Sequence, residues 1–215
     1  MKAKLFSHTQ DAEGRSLMEQ VAYVARVSNP ANQANNDTAD RLISYLIKHH
    51  HWSPFEMVSA CLEIQTTRDI ARQMLRHRSF TFQEFSQRYA EATEAPVYRE
   101  ARMQDMTNRQ NSTDTADEGL QIQWAREQRA VHAAAGRAYA WALGRGIAKE
   151  VARAVLPEGI TQSRLYMSGT LRSWIHYIQL RTGPETQREH RAVALACAEA
   201  LAGVFPMIVG VANVD

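Results

Sequence analysis

The sequence predicts an α/β fold, an antiparallel sheet wrapped by helices in a single domain, and three observations lead there. In MVSACLEIQ, Val58, Ala60, Leu62 and Ile64 alternate with Ser59, Cys61, Glu63 and Gln65, the two-residue period of a half-buried strand. Elsewhere apolar residues recur at i, i+3, i+4 and i+7, most clearly Leu171, Trp174, Ile175 and Ile178, which is the period of an amphipathic helix. Finally, no G-x-G-x-x-G follows a strand and no G-x4-G-K-[ST] occurs, so a Rossmann arrangement is not indicated.

The elements follow in order. Leu17, Val21 and Val24 predict a helix over about 14–27, and Asp37 or Thr38 is placed to cap a second helix running to the histidines at 49–51. Pro54 breaks it, and the strand of 57–65 follows. A short helix then sets Ile70, Ala71, Met74 and Leu75 on one side and Arg68, Arg72 and Arg76 on another, before the extended, aromatic TFQEFSQRY. Residues 103–118 are polar and predict a surface loop. An Ala-rich helix runs from Gly119 to about Leu143, stopped by Gly144 and Gly146. KEVARAVL is a short helix ended by Pro157, and TQSRLYMSG is strand-like. The 171–181 helix comes next, and Pro184 is expected to open a last helix reaching about Val204.

Composition narrows the function. The 215 residues are 45% hydrophobic and 22% charged, enough to bury one core. No apolar run reaches membrane-spanning length, and MKAKLFSHTQ lacks the apolar stretch of a signal peptide, so a cytoplasmic protein without membrane contact is expected. Cys61 and Cys197 have no metal or redox spacing and read as reduced core thiols. A net charge of +2 gives too weak a field for a bulk nucleic-acid binder. Among the 25 cationic residues only Lys2, Lys4, Lys48 and Lys149 are lysine; the arginine forks suit phosphates and flat rings.

Those forks concentrate in RHRSFTFQEFSQR, residues 76–88. Arg76, His77 and Arg78 are followed after seven residues by Ser86 and Arg88, and two guanidiniums with a hydroxyl can satisfy a phosphate dianion from several sides. Glu84 lies within this segment; taken alone, it reads as an ion-pair partner of a nearby arginine. Three other segments stand out: HWSPFE at 51–56, EVARAVLP at 150–157 and LRSWIHYIQLR at 171–181. Arg172 and His176 are four apart and share one helix face. His49, His50 and His51 are consecutive, point in different directions and have no partner cluster, so no metal site is expected.

The spacing RHR-x7-S-x-R resembles the signature of the flavin-dependent thymidylate synthases, and the other three segments resemble that family's motifs in the same order. The resemblance implies reductive methylation of dUMP to dTMP. The carbon donor would be 5,10-methylenetetrahydrofolate and the hydride carrier FAD reduced by NADPH, with no protein nucleophile. It places Gln73, Arg76, Glu84, Ser86, Arg88, Arg153 and Arg181 on dUMP, with Arg181 as the catalytic charge at the uracil ring. It places His51, Ser53, Arg76, His77, Arg78, Glu84, Thr170, Arg172 and His176 on FAD. It further implies a homotetramer with active sites shared between subunits, Arg153 coming from a different chain than the signature. Thr170 stands where many members carry Asn and Glu185 where some carry His, so folate contacts are not assigned.

Two other readings use the same residues. A flavin reductase without methyl transfer would need the flavin set but not the clamp of Ser86, Arg88 and Arg153. A non-enzymatic RNA-binding module would use the basic triplet with Phe80, Phe82 and Phe85 as stacking surfaces.

Overall fold

The computed structural model describes residues 1–213. The strands β1 (Lys2–His8), β2 (Ser59–Thr67), β3 (Thr81–Glu84) and β6 (Gln162–Thr170) form one antiparallel sheet in the order β1-β2-β6-β3. The central pair is in register from Ser59 opposite Thr170 to Thr67 opposite Gln162, which sets the start of the helix that precedes the RHR turn beside the start of β6. Short β4 (Arg102–Gln104) and β5 (Ser112–Asp114) pair in a separate ribbon.

The helices are α1 (Leu17–Ala25), α2 (Ala39–Lys48), α3 (Arg68–Met74), α4 (Glu118–Gly144), α5 (Lys149–Ala152), α6 (Leu171–Thr182) and α7 (Arg188–Ala202). Their ends follow local chemistry. Ser16 and Glu19 form a reciprocal capping box at α1. Asp117 caps α4 by accepting from the Leu120 amide at 2.9 Å. At its far end Gly146 adopts φ +75° while the Gly146 and Ile147 amides bond back to Leu143 and Ala142, a Schellman closure that the glycine makes possible. Thr38 is the first residue before α2 but does not cap it; its hydroxyl accepts from Arg26 Nη2 at 2.8 Å.

The alternation expected for β2 holds on one face, where Ala60, Leu62 and Ile64 meet Leu165 and Met167 of β6 under Trp174, Ile175 and Ile178 of α6. The other face is also partly covered: Glu63 is buried, accepting from Tyr166 Oη at 2.8 Å and pairing with Lys4 at 3.4 Å. Strand β1 is an addition: only Ala3 and Leu5 alternate with Lys2 and Lys4, too short a pattern to predict a strand. Two expectations change. The polar run 103–118 is at the surface, yet it contains the ribbon β4–β5, turned by Asp105, which accepts from the amides of Thr107 and Asn108. Pro184 does not open α7. It sits in a turn closed by the Thr186 amide on Gly183 O, the Thr186 hydroxyl binds back to Leu180 O and Gln187 is tied to α3, so the helix begins only at Arg188.

Phe80, which leaves the RHR turn, packs edge-on against Trp174 at 4.8 Å and lies over Gly169 of β6. A Cβ at position 169 would meet the Phe80 ring at 2.5 Å. Gly169→Ala is therefore expected to destabilise by about 1–3 kcal/mol through overpacking, read as a lower Tm at fixed protein concentration. An unchanged Tm would show that the ring moves freely.

Candidate active site

The turn after α3 presents the basic triplet. Arg76 and Arg78 are exposed and His77 is half-buried, its ring edge-on to Tyr177 at 5.0 Å. Arg181, in the last turn of α6, donates from Nε to His77 Nε2 at 2.9 Å. This contact joins two motifs that are 104 residues apart. Burial, then the positive charges of Arg181 and Arg76, push the His77 imidazole down to about 4, so the ring is neutral at pH 7 and accepts. Arg181 is thus held by a neutral partner, and among the described residues no carboxylate cancels its charge.

Histidine burial has a thermodynamic consequence. His190 of α7 is likewise pushed down, to about 3, by burial and by the Arg181 and His77 charges. The ordinary value is 6.5 for both, so between pH 6.5 and about 4 the unfolded chain binds more protons than the folded one. Their stabilising contribution is full above pH 6.5 and is lost as pH falls. Melting temperature is expected to drop steadily from pH 7 to pH 4.5, and replacing His77 or His190 with glutamine, which does not titrate, should flatten the curve; a pH-independent Tm would contradict the burial.

Glu84, at the end of β3, accepts from Ser163 Oγ at 2.7 Å and lies 3.5 Å from Arg68 Nη1 and 3.3 Å from Arg72 Nη1. The ion pair expected of an isolated Glu84 is therefore present, doubled. Arg68 is the partner that sequence reasoning missed as a site residue. It is 6% exposed, and burial lowers its guanidinium below the ordinary value against the pull of Glu84. Ser86 Oγ accepts from the Arg88 amide at 3.3 Å. The Arg88 side chain reaches Glu150 Oε2 at 3.7 Å, and Arg153 Nε donates to the Glu150 carbonyl at 3.4 Å, so Arg88 and Arg153 meet at one residue within a single chain. Gln73 is bound between Gln187 and His190.

A second cluster forms where HWSPFE meets the start of α6. Thr170 caps α6 by accepting from the Ser173 amide and donates to Glu56 Oε2 at 2.8 Å. Arg172 pairs with Glu56 Oε1 at 2.6 Å. The Arg172 and Thr170 bonds hold the Glu56 carboxyl below its ordinary value despite partial burial. One turn along, His176 packs edge-on against Trp52 at 4.5 Å, and burial, then Arg172, lowers its imidazole. Ser53 opens the 3₁₀ turn Ser53–Glu56 and is exposed. His51 is exposed, its amide on Leu46 O and its ring edge-on to Tyr45 at 5.9 Å. Glu56 is a second residue that the sequence reading left out of the site, although it closes the quoted HWSPFE segment. Among the described residues no group of three or more His, Cys, Asp or Glu side chains is arranged to hold a metal.

The chain thus offers two surfaces at opposite ends of α6, one of guanidiniums around Arg181 and His77 and one of mixed donors at the α6 N-terminus. A cavity of about 280 Å³ at the ends of the central strands β2 and β6 is lined by Gln65, Gln162 and Arg164 and by the stretch Ala90 to Glu94, and touches the RHR segment at Phe85. Helices α4 and α5 carry exposed Ile122, Trp124, Val131, Trp141 and Val151.

A family model described as thymidylate synthase complementing protein matches residues 4–207. The chain is 54% identical over 210 residues to a probable flavin-dependent thymidylate synthase of Paramecium bursaria Chlorella virus 1, covering 97% of each. It is 50% identical over 198 residues to the flavin-dependent thymidylate synthase of a Synechocystis species, covering 92% of this chain and 90% of that one. Among solved structures it is similar to the UMP/dUMP methylase PolB from Streptomyces cacaoi bound with 5-Br dUMP. The TM-score is 0.82 at 28% identity, over 98% of this chain and 93% of that one. The antiparallel sheet and the joined motifs define a protein of the thymidylate synthase complementing class. Within that class, the chain belongs to the flavin-dependent thymidylate synthases.

Proposed function

We propose that this chain converts dUMP to dTMP, with 5,10-methylenetetrahydrofolate as carbon donor and NADPH as reductant of bound FAD. The observation that carries the reading is the Arg181–His77 bond, which sets an uncancelled cation beside the anion-binding signature. Uracil C5 is a poor nucleophile until negative charge can be stabilised on the ring, and a fixed guanidinium does so where that charge develops. Arg76, Ser86, Arg88 and Arg153 hold the phosphate, while Gln73 and Glu84 orient the nucleotide; these residues contribute positioning rather than bond making.

FAD fits the second surface. Thr170, Arg172, His176 and Ser53 lie about the N-terminus of a twelve-residue helix, a donor-rich setting for an anionic diphosphate and a flat ring; His51, His77, Arg78 and the shared Arg76 and Glu84 are assigned to FAD on the family's motifs. When bound and reduced it supplies the hydride. The protein's own residues bind and orient both partners. Neither thiol suits nucleophilic attack: burial raises the Cys61 thiol, and Cys197 is fully buried and pushed far above its ordinary range. The free thiols also fit a reducing compartment, and the cytoplasm is the location we infer. Exposed apolar side chains on α4 and α5 support a homotetramer in which neighbouring chains complete each site.

Purified protein tests this directly. Expected are flavin absorbance, elution of FAD with a species near four chains, and tritium release from C5-labelled dUMP that needs methylenetetrahydrofolate. NADPH oxidation without tritium release would make the protein a plain flavin reductase. A stable monomer carrying stoichiometric FAD would overturn the shared site.

A further inference from the structure

Behind His77 runs a line of polar side chains of which the reaction as proposed uses only Gln73. It starts at Glu189 of α7, which pairs with Arg102 and lies 4.0 Å from Arg99 Nε. Burial alone would raise the Glu189 carboxyl, but the Gln187 hydrogen bond, its own backbone amide and the two guanidiniums outweigh it, so it is ionised and only accepts. Gln187 Nε2 donates to Glu189 Oε2 at 2.8 Å. That leaves Gln187 Oε1 to accept from Gln73 Nε2, also at 2.8 Å. The Gln73 carboxamide is thereby turned with Oε1 toward His190 Nδ1, 3.1 Å away. An amide oxygen has no proton to give, so His190 carries its hydrogen on Nδ1. Its bare Nε2 then accepts from Tyr177 Oη at 3.2 Å. His190 and Tyr177 are 0% and 1% exposed, so water does not substitute for either bond.

The direction of every bond from Glu189 to Tyr177 follows from the carboxylate, which only accepts; the phenol at the other end can donate or accept and takes the donor role that the bare His190 Nε2 leaves it. A carboxamide in an open site flips between two orientations of nearly equal shape. Here the flip would face Gln73 Oε1 against Gln187 Oε1 and Nε2 against the His190 N–H, losing two hydrogen bonds in a buried setting. After these bonds Gln73 keeps one unused Nε2 hydrogen, at the end of α3 one turn before Arg76.

We propose that His190 is a positioning residue for nucleotide recognition: by holding Gln73 Oε1 it fixes the carboxamide in one orientation and leaves its amide hydrogen free to meet the nucleotide. The inference rests on the reading of Gln73 as a nucleotide contact. His190 itself touches no substrate; it acts through Gln73.

The test is dUMP affinity measured by titration calorimetry on flavin-loaded protein. His190→Leu removes the donor and is expected to raise the Kd for dUMP about tenfold, the size of one neutral hydrogen bond. His190→Asn, whose amide nitrogen replaces Nδ1, is expected to restore the Kd to within about twofold of the original. In a Gln73→Ala background, His190→Leu is expected to add no further change, which loss of fold integrity would not predict. If His190→Leu does not fold, Gln187→Leu breaks the same orientation from the half-buried side, with the same rise and the same non-additivity expected. A flavin-loaded His190→Leu with unchanged Kd overturns the proposal, as does a full effect in the Gln73→Ala background. Wild-type protein that binds dUMP but releases no tritium would sink the synthase reading and leave this one standing; wild-type protein that does not bind dUMP sinks both.

Discussion

Arg181→Ala is expected to turn over dUMP roughly 10² to 10³ times more slowly with reduced flavin present, the usual cost of removing one preorganised charge from a transition state. The Arg181 guanidinium is half-buried, and one donor is spent on His77 Nε2 at 2.9 Å. The planar fork is therefore fixed before substrate arrives, with its terminal nitrogens left over. It also sits in the last turn of α6, where the helix dipole favours a cation. Flavin content should be unchanged, because the cofactor surface at the other end of α6 uses Thr170, Arg172 and His176. Arg181→Lys keeps the charge but loses both the fork and the Nε donor, so an intermediate rate is expected. The measurement is single-turnover dTMP formation from pre-reduced enzyme. A near-wild-type rate for Arg181→Ala would remove the charge-stabilising role.

The parts of this structure that were legible in the sequence are those whose cause is local. The period of β2, the heptad-like run of α6 and the Gly144–Gly146 stop of α4 each depend on neighbours within a few residues, and each is present. Glu56, Arg68, Gln187 and His190 were not legible as site residues for the opposite reason. Glu56 acts through Thr170 and Arg172, more than a hundred residues away, and His190 through Gln73 at a similar separation. No spacing rule reaches across such distances; only the antiparallel β2–β6 register and the packing of α7 bring them together. Pro184 misled because a first-turn proline and a pre-helix turn share the same local signature, and the decision fell to Thr186 and Gln187, whose side chains bond back into α6 and α3. For Glu84 the ion pair that an isolated carboxylate predicts is present with both Arg68 and Arg72, and its contact with nucleotide and flavin is part of the proposed function.

Glu84→Ala should therefore do two separable things, and stability is the larger. Arg68 has a side chain only 7% exposed, and among the described residues its Nη1 has no hydrogen-bond partner, with the Glu84 carboxylate its nearest counter-charge at 3.5 Å. The alternative partner, Glu158, is 3.8 Å away and half exposed, so its field is weakened by solvent. Removing the Glu84 carboxylate leaves a buried, uncompensated cation, a loss that costs about 3–5 kcal/mol. Ser163 Oγ loses its acceptor at the same time. Arg72 contributes little to that cost because its exposed side chain turns to water. Replacing both buried charges should reverse most of the effect, since a buried pair exchanged for apolar side chains of similar volume is close to neutral. The double variant Glu84→Ala, Arg68→Met is accordingly expected to recover most of the lost unfolding free energy in urea without recovering dUMP affinity. A Glu84→Ala chain less than about 1 kcal/mol below wild type would show that Arg68 finds its charge balance elsewhere. A double variant that regains both stability and dUMP binding would show that Glu84 serves only the fold.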